Sequence, residues 1–350
     1  RSRRGEQSDT TLTPAYDLST GAAAFSRALI KVFWQVFAFV LQVAVSHKLL
    51  KGKTIAVDST TLEANAAMKS LVRRATHEDW KTYVKRLMKA EGIEDPSDDE
   101  VRRFDRTRKK KTSNKEWMSA TDADSRVAKM KDGRTHLADK AEHAVELGSG
   151  LIVAAVVYRG DDADAETWPV TVELAREQLT AAGSPRQVDE VVGDKGYHKA
   201  DTLQTLAEVE HVRAYIAEPK RGRRTWVDKP EGQQHVVYAN RQRITGTRGR
   251  RLGRQRSEYA ERSFAHTCET GGGRRAWLRG VMNVSKHHLS TQATDPLGPE
   301  SFEWFVAQLR QSWAIAEGDR LEKVVAEADS DSRSDSRETR ARGAAASAAC

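Results

Sequence analysis

Apolar residues fall into short blocks between long polar stretches, and the blocks alternate in period. Residues 23–50 are rich in Ala, Phe, Leu and Val and hold no Gly or Pro, which predicts a helix. Within it the apolar run 32–45 is broken by Gln35 and Gln42, so it reads as a buried helix and falls short of the ~20 apolar residues of a membrane span. Thr54-Ile55-Ala56-Val57 is β-branched and apolar and closes on Asp58, as a strand would. Residues 143–147 and 151–158 flank Gly148-Ser149-Gly150 and predict a hairpin. Further on, 167–181 is an amphipathic helix and 188–192 a strand running into Gly193-Asp194. A helix at 201–210, capped by Asp201, and a strand at 212–216 follow. Residues 217–256 read as loop, and 257–268, 274–290 and 301–316 as helices.

The stretch 66–135 breaks this rhythm. It is charged, with a helical patch at 78–91 and a basic run holding Arg102, Arg103, Arg106, Arg108, Lys109, Lys110 and Lys111, and it reads as an insertion after the first strand. The resulting order predicts an α/β fold: an RNase H-like mixed five-stranded sheet flanked by helices, with a helical basic insertion after the first strand. The domain reading is a helical remnant over 1–50 with its first 22 residues disordered, and a catalytic domain over 51–290. A helical segment over 291–318 and a disordered tail over 319–350, where Ser alternates with Asp and Arg, complete it.

Charge adds a partner. Lys and Arg number 58 against 50 Asp and Glu, a net +8 over 350 residues, which points to a polyanion such as nucleic acid. The excess concentrates at 220–256, where twelve Lys and Arg face Asp228 and Glu231, with Trp226 and Tyr238 among them as stacking candidates. Two cysteines, Cys268 and Cys350, exclude a disulfide scaffold and a Cys-based zinc module. No secretory leader is legible, so a cytoplasmic location is expected. G-x-x-x-x-G-K-[ST], G-x-S-x-G and H-E-x-x-H are absent from the sequence.

Three acids sit where such a fold could gather them: Asp58 ends the first strand, Asp194 ends 188–192, and Glu261 lies on the helix 257–268. Carboxylates at neighbouring strand ends suit Mg²⁺, a hard cation that needs few of them. Each residue also has a structural reading: Asp58 and Asp194 as turn or cap residues, Glu261 as a solvated helix position. Glu258 is the alternative one turn earlier on the helix, and Asp161, Asp162 or Asp164 are alternatives for the middle acid. Lys195 could touch phosphate or be solvated, Tyr197 could stack on a base or pack under the sheet edge, and Arg262 could meet phosphate or pair on the surface. His136 and His143 read as structural, since a zinc pair needs closer spacing and more ligands.

Several segments resemble the DDE transposases of bacterial insertion sequences. Residues 51–66 resemble the segment around that family's first aspartate, 109–115 and 131–137 its insertion and the lead into its hairpin, and Val192-Gly193-Asp194-Lys195-Gly196-Tyr197 its second-aspartate motif. Glu258-Tyr259-Ala260-Glu261-Arg262-Ser263-Phe264-Ala265 resembles its glutamate helix, followed by Ala276-Trp277-Leu278-Arg279-Gly280. The resemblance covers roughly 30–290 and implies Asp58, Asp194 and Glu261 as catalytic, metal-binding residues. It also implies two Mg²⁺ ions (Mn²⁺ able to substitute), cleavage of double-stranded DNA at element ends and strand transfer to target DNA. A homodimer on DNA in the bacterial cytoplasm, at the nucleoid and away from membranes, goes with that reading. Lys195, Tyr197, Arg221, Arg223, Arg224, Arg254, Arg256 and Arg262 are the expected DNA contacts. The alternatives are a decayed remnant that only binds DNA and a plain RNase H-like nuclease. The chain departs from the family after His287-His288-Leu289, where Ser290-Thr291-Gln292 replaces the usual Leu-rich apolar helix.

Overall fold

A computed structural model describes residues 21–294, except 109–112, 131–132, 209–210, 221, 223 and 271. The expectations for the first 20 residues, for Lys109–Lys111, for the helix at 301–316 and for everything after 294 lie outside the described residues, as do Arg221 and Arg223.

The described residues open with helix α1 (Gly21–Ser46) and enter strand β1 (Thr54–Glu63). The segment that follows holds β2 (Leu71–Arg73), α2 (Trp80–Ala90), α3 (Asp98–Thr107), β3 (Trp117–Ser119) and β4 (Arg126–Lys129). Then come β5 (Thr135–Glu146), β6 (Ile152–Arg159), α4 (Asp164–Ala181), β7 (Glu190–Gly193), α5 (Ala200–Glu208) and β8 (Arg213–Ile216). Three helices close the described chain: α6 (Gln233–Thr245), α7 (Thr247–Ala265) and α8 (Val281–Thr294).

The main sheet runs β5-β1-β7-β8, with β1, β7 and β8 parallel and β5 antiparallel to β1. On its other edge β5 pairs with two strands in succession: β4 along Thr135–Ala138 and β6 from Asp139 onward. The sheet is therefore six-stranded where five strands were expected. The extra strand exists because β5 is 12 residues long and β6 only eight, which leaves open edge groups that β4 satisfies. The mixed α/β, RNase H-like arrangement is otherwise as expected.

Alternation along β1 splits the core in two. Ile55 and Val57 face Phe37 and Leu41 of α1, Trp168 and Leu179 of α4 and Leu203 of α5. Ala56 faces the other way, onto Val192, Tyr215 and Leu252. Helix α4 carries Pro169, whose missing N–H leaves the Ala165 carbonyl without its helical donor. The Thr202 hydroxyl donates to that carbonyl instead at 3.4 Å, tying α5 to α4.

Residues 217–256 are not loop throughout: α6 and the first half of α7 occupy most of the latter part. Arg and Gln are good helix formers, and Val236, Val237 and Leu252 supply buried faces that the density of charge hides in the sequence.

In the segment after β1, Ser97 caps α3 in a capping box, its hydroxyl taking the Glu100 N–H while Glu100 reaches back to the Ser97 N–H at 2.8 Å. Ser97→Ala is expected to cost about 1 kcal/mol locally, seen as faster hydrogen exchange in α3 with the main sheet unchanged. Equal protection of α3 in both proteins would show that the cap contributes nothing.

Candidate active site

Asp58 lies in the middle of β1 and Asp194 directly follows β7. The register Ala56↔Val192 places the two acids at matching positions of adjacent parallel strands, two residues further on. Alternation along β1 turns Asp58 toward the face crossed by α7, the face of Ala56, while Asp194 stands in the turn just past the end of β7.

Asp194 has extended backbone, and its carboxylate accepts the Gly196 N–H at 2.7 Å, which caps the 3-10 turn Lys195–Tyr197. A Cβ on Gly196 would sit 3.0 Å from an oxygen of Asp194 and 3.0 Å from an oxygen of Asp164. The two carboxylates therefore flank this glycine, no more than twice that distance apart, and a side chain would drive between them. That explains a glycine in Gly-Asp-Lys-Gly-Tyr without any demand on φ.

Asp164, at the first turn of α4, accepts the Ser59 hydroxyl at 2.9 Å and Lys140 Nζ at 3.1 Å. It is the alternative middle acid that comes nearest the pair. Asp161 instead pairs with Arg126 at 3.5 Å, and Asp162 accepts the Arg159 N–H.

Helix α7 crosses over Asp58. Arg256 Nη1 lies 3.1 Å from Asp58 Oδ2, Ala260 is fully buried, and Ser263 donates or accepts at 2.9 Å with His143 Nδ1, the residue paired with Asp58 across β5. Tyr259 packs on Gly150, in the turn whose Leu147 N–H meets the Thr54 carbonyl at the start of β1. Glu261 follows two positions later, some 200° round the helix, on the flank away from that turn and toward the strand ends. It is exposed. Glu258 is also exposed, points away from the sheet and pairs with Arg262 at 2.9 Å. Arg250, Arg254 and Glu261 follow at i, i+4 and i+11, so they share one exposed stripe.

Tyr197 is 1 % exposed and meets Trp168 edge-on, so its ring has no face open to a base. The packed reading of this residue is the one the structure adopts. Burial, and next the nearby Glu142, push its phenol far up. Lys195 and Arg254 are exposed, Arg224 pairs with Glu218 at 3.2 Å, and Arg262 takes the surface pairing just described. Trp226 and Tyr238 hold each other through an N–H···O bond of 3.3 Å, with Arg224 over the first ring and Arg241 over the second.

A layer of polar residues beneath the site escaped the sequence reading. Glu142 is fully buried and accepts from Thr171, Thr167 and, at 3.3 Å, the Tyr197 hydroxyl. Burial raises its pKa to about 7, against the lowering effect of Thr171 and Lys140. Lys140 Nζ donates to Asp162 O, Asp164 and Thr167. The one signal in the sequence was the density of charged residues, Lys140 and Glu142 among them, next to the apolar strand Ile152–Arg159. His143 is structural, as expected, and pairs with His288: their Nε2 atoms are 2.7 Å apart, His143 stacks on Phe264, and burial pushes both toward the neutral form. His136 lies 3.5 Å from Glu63.

Among the described residues, no three His, Cys, Asp or Glu side chains are grouped closely enough to hold a metal ion. The donor set nevertheless fits a hard divalent cation in kind: Asp58, Asp194 and Glu261 offer only carboxylate oxygens, and Asp58 already has a cationic partner in Arg256. No helix among the described residues is long and apolar enough to cross a membrane.

Comparison with curated proteins and with solved structures gives no match. A family model described as the transposase DDE domain matches residues 50–298, from the turn before β1 to just past α8. That span takes in Asp58 and Asp194, the glycine between the carboxylates of Asp164 and Asp194, and the helix that carries Glu261. With well over half its length matched, this chain belongs to the transposase family defined by the DDE domain.

Proposed function

We propose that this chain cleaves DNA strands at the ends of an insertion sequence and joins the freed 3′-OH to target DNA, with Asp58, Asp194 and Glu261 as the metal-binding acids. The observation that carries this reading is the pair Asp58, within β1, and Asp194, just past the end of the adjacent parallel strand β7, with α7 crossing over Asp58 and its exposed stripe leading from Arg250 and Arg254 to Glu261.

Two divalent cations, Mg²⁺ with Mn²⁺ able to substitute, would supply activation of the attacking oxygen and stabilisation of the leaving oxygen. The chain's own residues do the rest. Arg250 and Arg254 bind the phosphate backbone and set its register along α7. Arg256 balances the Asp58 carboxylate in the DNA-free chain and is close enough to turn to a phosphate. The Gly196 N–H fixes the orientation of Asp194. Lys195, exposed beside Asp194, and Arg224 add cationic contacts. The protein acts as a dimer, because two element ends must be handled together, in the cytoplasm of a bacterium at its nucleoid.

The test is nicking of supercoiled plasmid with Mg²⁺, with Mn²⁺ and with EDTA, alongside capture of a labelled oligonucleotide bearing a free 3′-OH. Metal-dependent nicking together with joining is the expected result. Nicking without joining would leave a plain nuclease. DNA binding with neither activity would leave a remnant that only binds.

A further inference from the structure

Trp277 is the most exposed aromatic ring among the described residues, at 69 %, and Leu278 beside it is 42 % exposed. The loop that carries them is held firmly at the end of β1. Glu63 N–H donates to the Arg274 carbonyl at 3.0 Å, Ala276 N–H donates to the Glu63 carbonyl at 2.7 Å, and Asn65 Nδ2 donates to the Trp277 carbonyl at 2.6 Å. Arg279 Nε returns a bond to the Asn65 carbonyl at 3.1 Å. At its far end the Gly280 and Val281 N–H groups donate to Asp122 and Asp124. One edge of the indole meets His287, with rings 5.4 Å apart and steeply inclined.

A loop braced at both ends thus presents a large apolar ring to solvent. Its setting selects the occupant. Arg274, Arg275 and Arg279 lie within three positions of Trp277 in the same loop and all three are exposed, with Glu63 the acid that meets Arg275, at 3.9 Å. An exposed ring in a loop of exposed arginines fits a polyanion that carries flat π-faces, which is a nucleic acid with unpaired bases. Trp226 and Tyr238, the rings first suggested for this role, are covered by each other and by arginines.

We propose that Trp277 is a stacking platform for an unpaired base of the DNA strand processed at Asp58 and Asp194, with Arg275 and Arg279 on the flanking phosphates. This rests on the reading of those acids as the active site. Glu63 lies five residues beyond Asp58, about 17 Å along the strand at ~3.3 Å per residue. At ~3.4 Å per nucleotide that is roughly five nucleotides from the reacting phosphate.

The experiment uses the full chain in EDTA, so that binding is read without cleavage. Two probes of equal length are compared: a blunt duplex, and a duplex with a five-nucleotide single-stranded tail carrying 2-aminopurine at its last base. Trp277→Ala is expected to weaken binding of the tailed probe about tenfold, to leave the blunt probe within about twofold, and to abolish quenching of 2-aminopurine. Trp277→Phe keeps most of both. Arg275→Ala weakens both probes alike and lowers the salt dependence. An equal loss on both probes for Trp277→Ala, or no loss on either, overturns the proposal. So does a change of sedimentation with unaltered tail binding, which would make the patch a contact between copies of the chain. Failure of the active-site reading registers elsewhere, as nicking that survives Asp58→Asn while the tail selectivity of Trp277 persists.

Discussion

Asp58→Asn lowers metal-dependent nicking by at least ~10³-fold, equivalent to about 4 kcal/mol of transition-state stabilisation, and leaves DNA binding within about twofold. Asn keeps the shape of the side chain and an oxygen for the Ser59 N–H, which Asp58 Oδ1 accepts at 3.0 Å, but it removes the charge that a divalent cation requires. Asp194→Asn behaves the same way, because its oxygen can still cap Gly196 while its charge is gone. The fold tolerates both changes, since each acid is only partly buried. The helix acids separate sharply. Glu261→Gln, on the flank toward the strand ends, falls with the aspartates, and Glu258→Gln, outward and paired with Arg262, stays near the parent. Plasmid nicking and a filter-binding measurement on the same preparations decide the matter. Full activity in Asp58→Asn, or equal losses at Glu258 and Glu261, would refute the assignment.

Asp139→Asn stabilises the protein at pH 8 by about 2–4 kcal/mol and leaves it nearly unchanged at pH 4. Asp139 is 1 % exposed and neither carboxylate oxygen has a hydrogen-bond partner. Burial, reinforced by the charges of Asp122 and Asp124, raises its pKa from 3.8 to about 7. The folded chain therefore holds a proton that the unfolded chain gives up. Stability from this group is full below about pH 4, falls as pH rises toward 7, and stays low above it. An amide carries no charge to desolvate and offers N–H donors to the unpartnered Asp122 Oδ2 nearby. Glu142, raised in the same direction, retains its part of the slope in this variant. Urea unfolding at pH 4, 6 and 8 measures the effect. A variant less stable than the parent at pH 8 would show that Asp139 is held charged.

These two predictions draw on different levels of legibility. The strand that ends in Val-Asp and the Gly-Asp-Lys-Gly-Tyr turn were visible in the sequence because short β-branched runs closing on an acid are locally encoded. The strand itself runs five residues past Asp58, since Ser59, Thr60 and Thr61 gain their strand character from pairing with β5, which local composition does not reveal. Helix α6 and the start of α7 were hidden for the opposite reason: arginines at nearly every turn mask a buried face of few residues. The layer beneath the site was beyond sequence reasoning. Glu142 and Tyr197 are 55 positions apart and Lys140 and Asp164 24, and only the folded sheet brings them together. Likewise, Arg256 read as a DNA contact, and the fold sets it against Asp58.

The way β4 joins the sheet bears on modularity. The segment between β1 and β5 looks in sequence like a cassette that could be lost or exchanged. In the structure it occupies part of the outer edge of β5, its Ala64, Leu71 and Trp117 pack with Leu137 of β5, and its Asp122 and Asp124 receive the N–H groups of Gly280 and Val281 at the start of α8. Cutting it out would open a sheet edge, empty a hydrophobic cluster and uncap the helix that closes the described chain. Recombination between relatives would therefore have to move this segment together with β5 and the Trp277 loop, and the three are expected to be inherited as one unit.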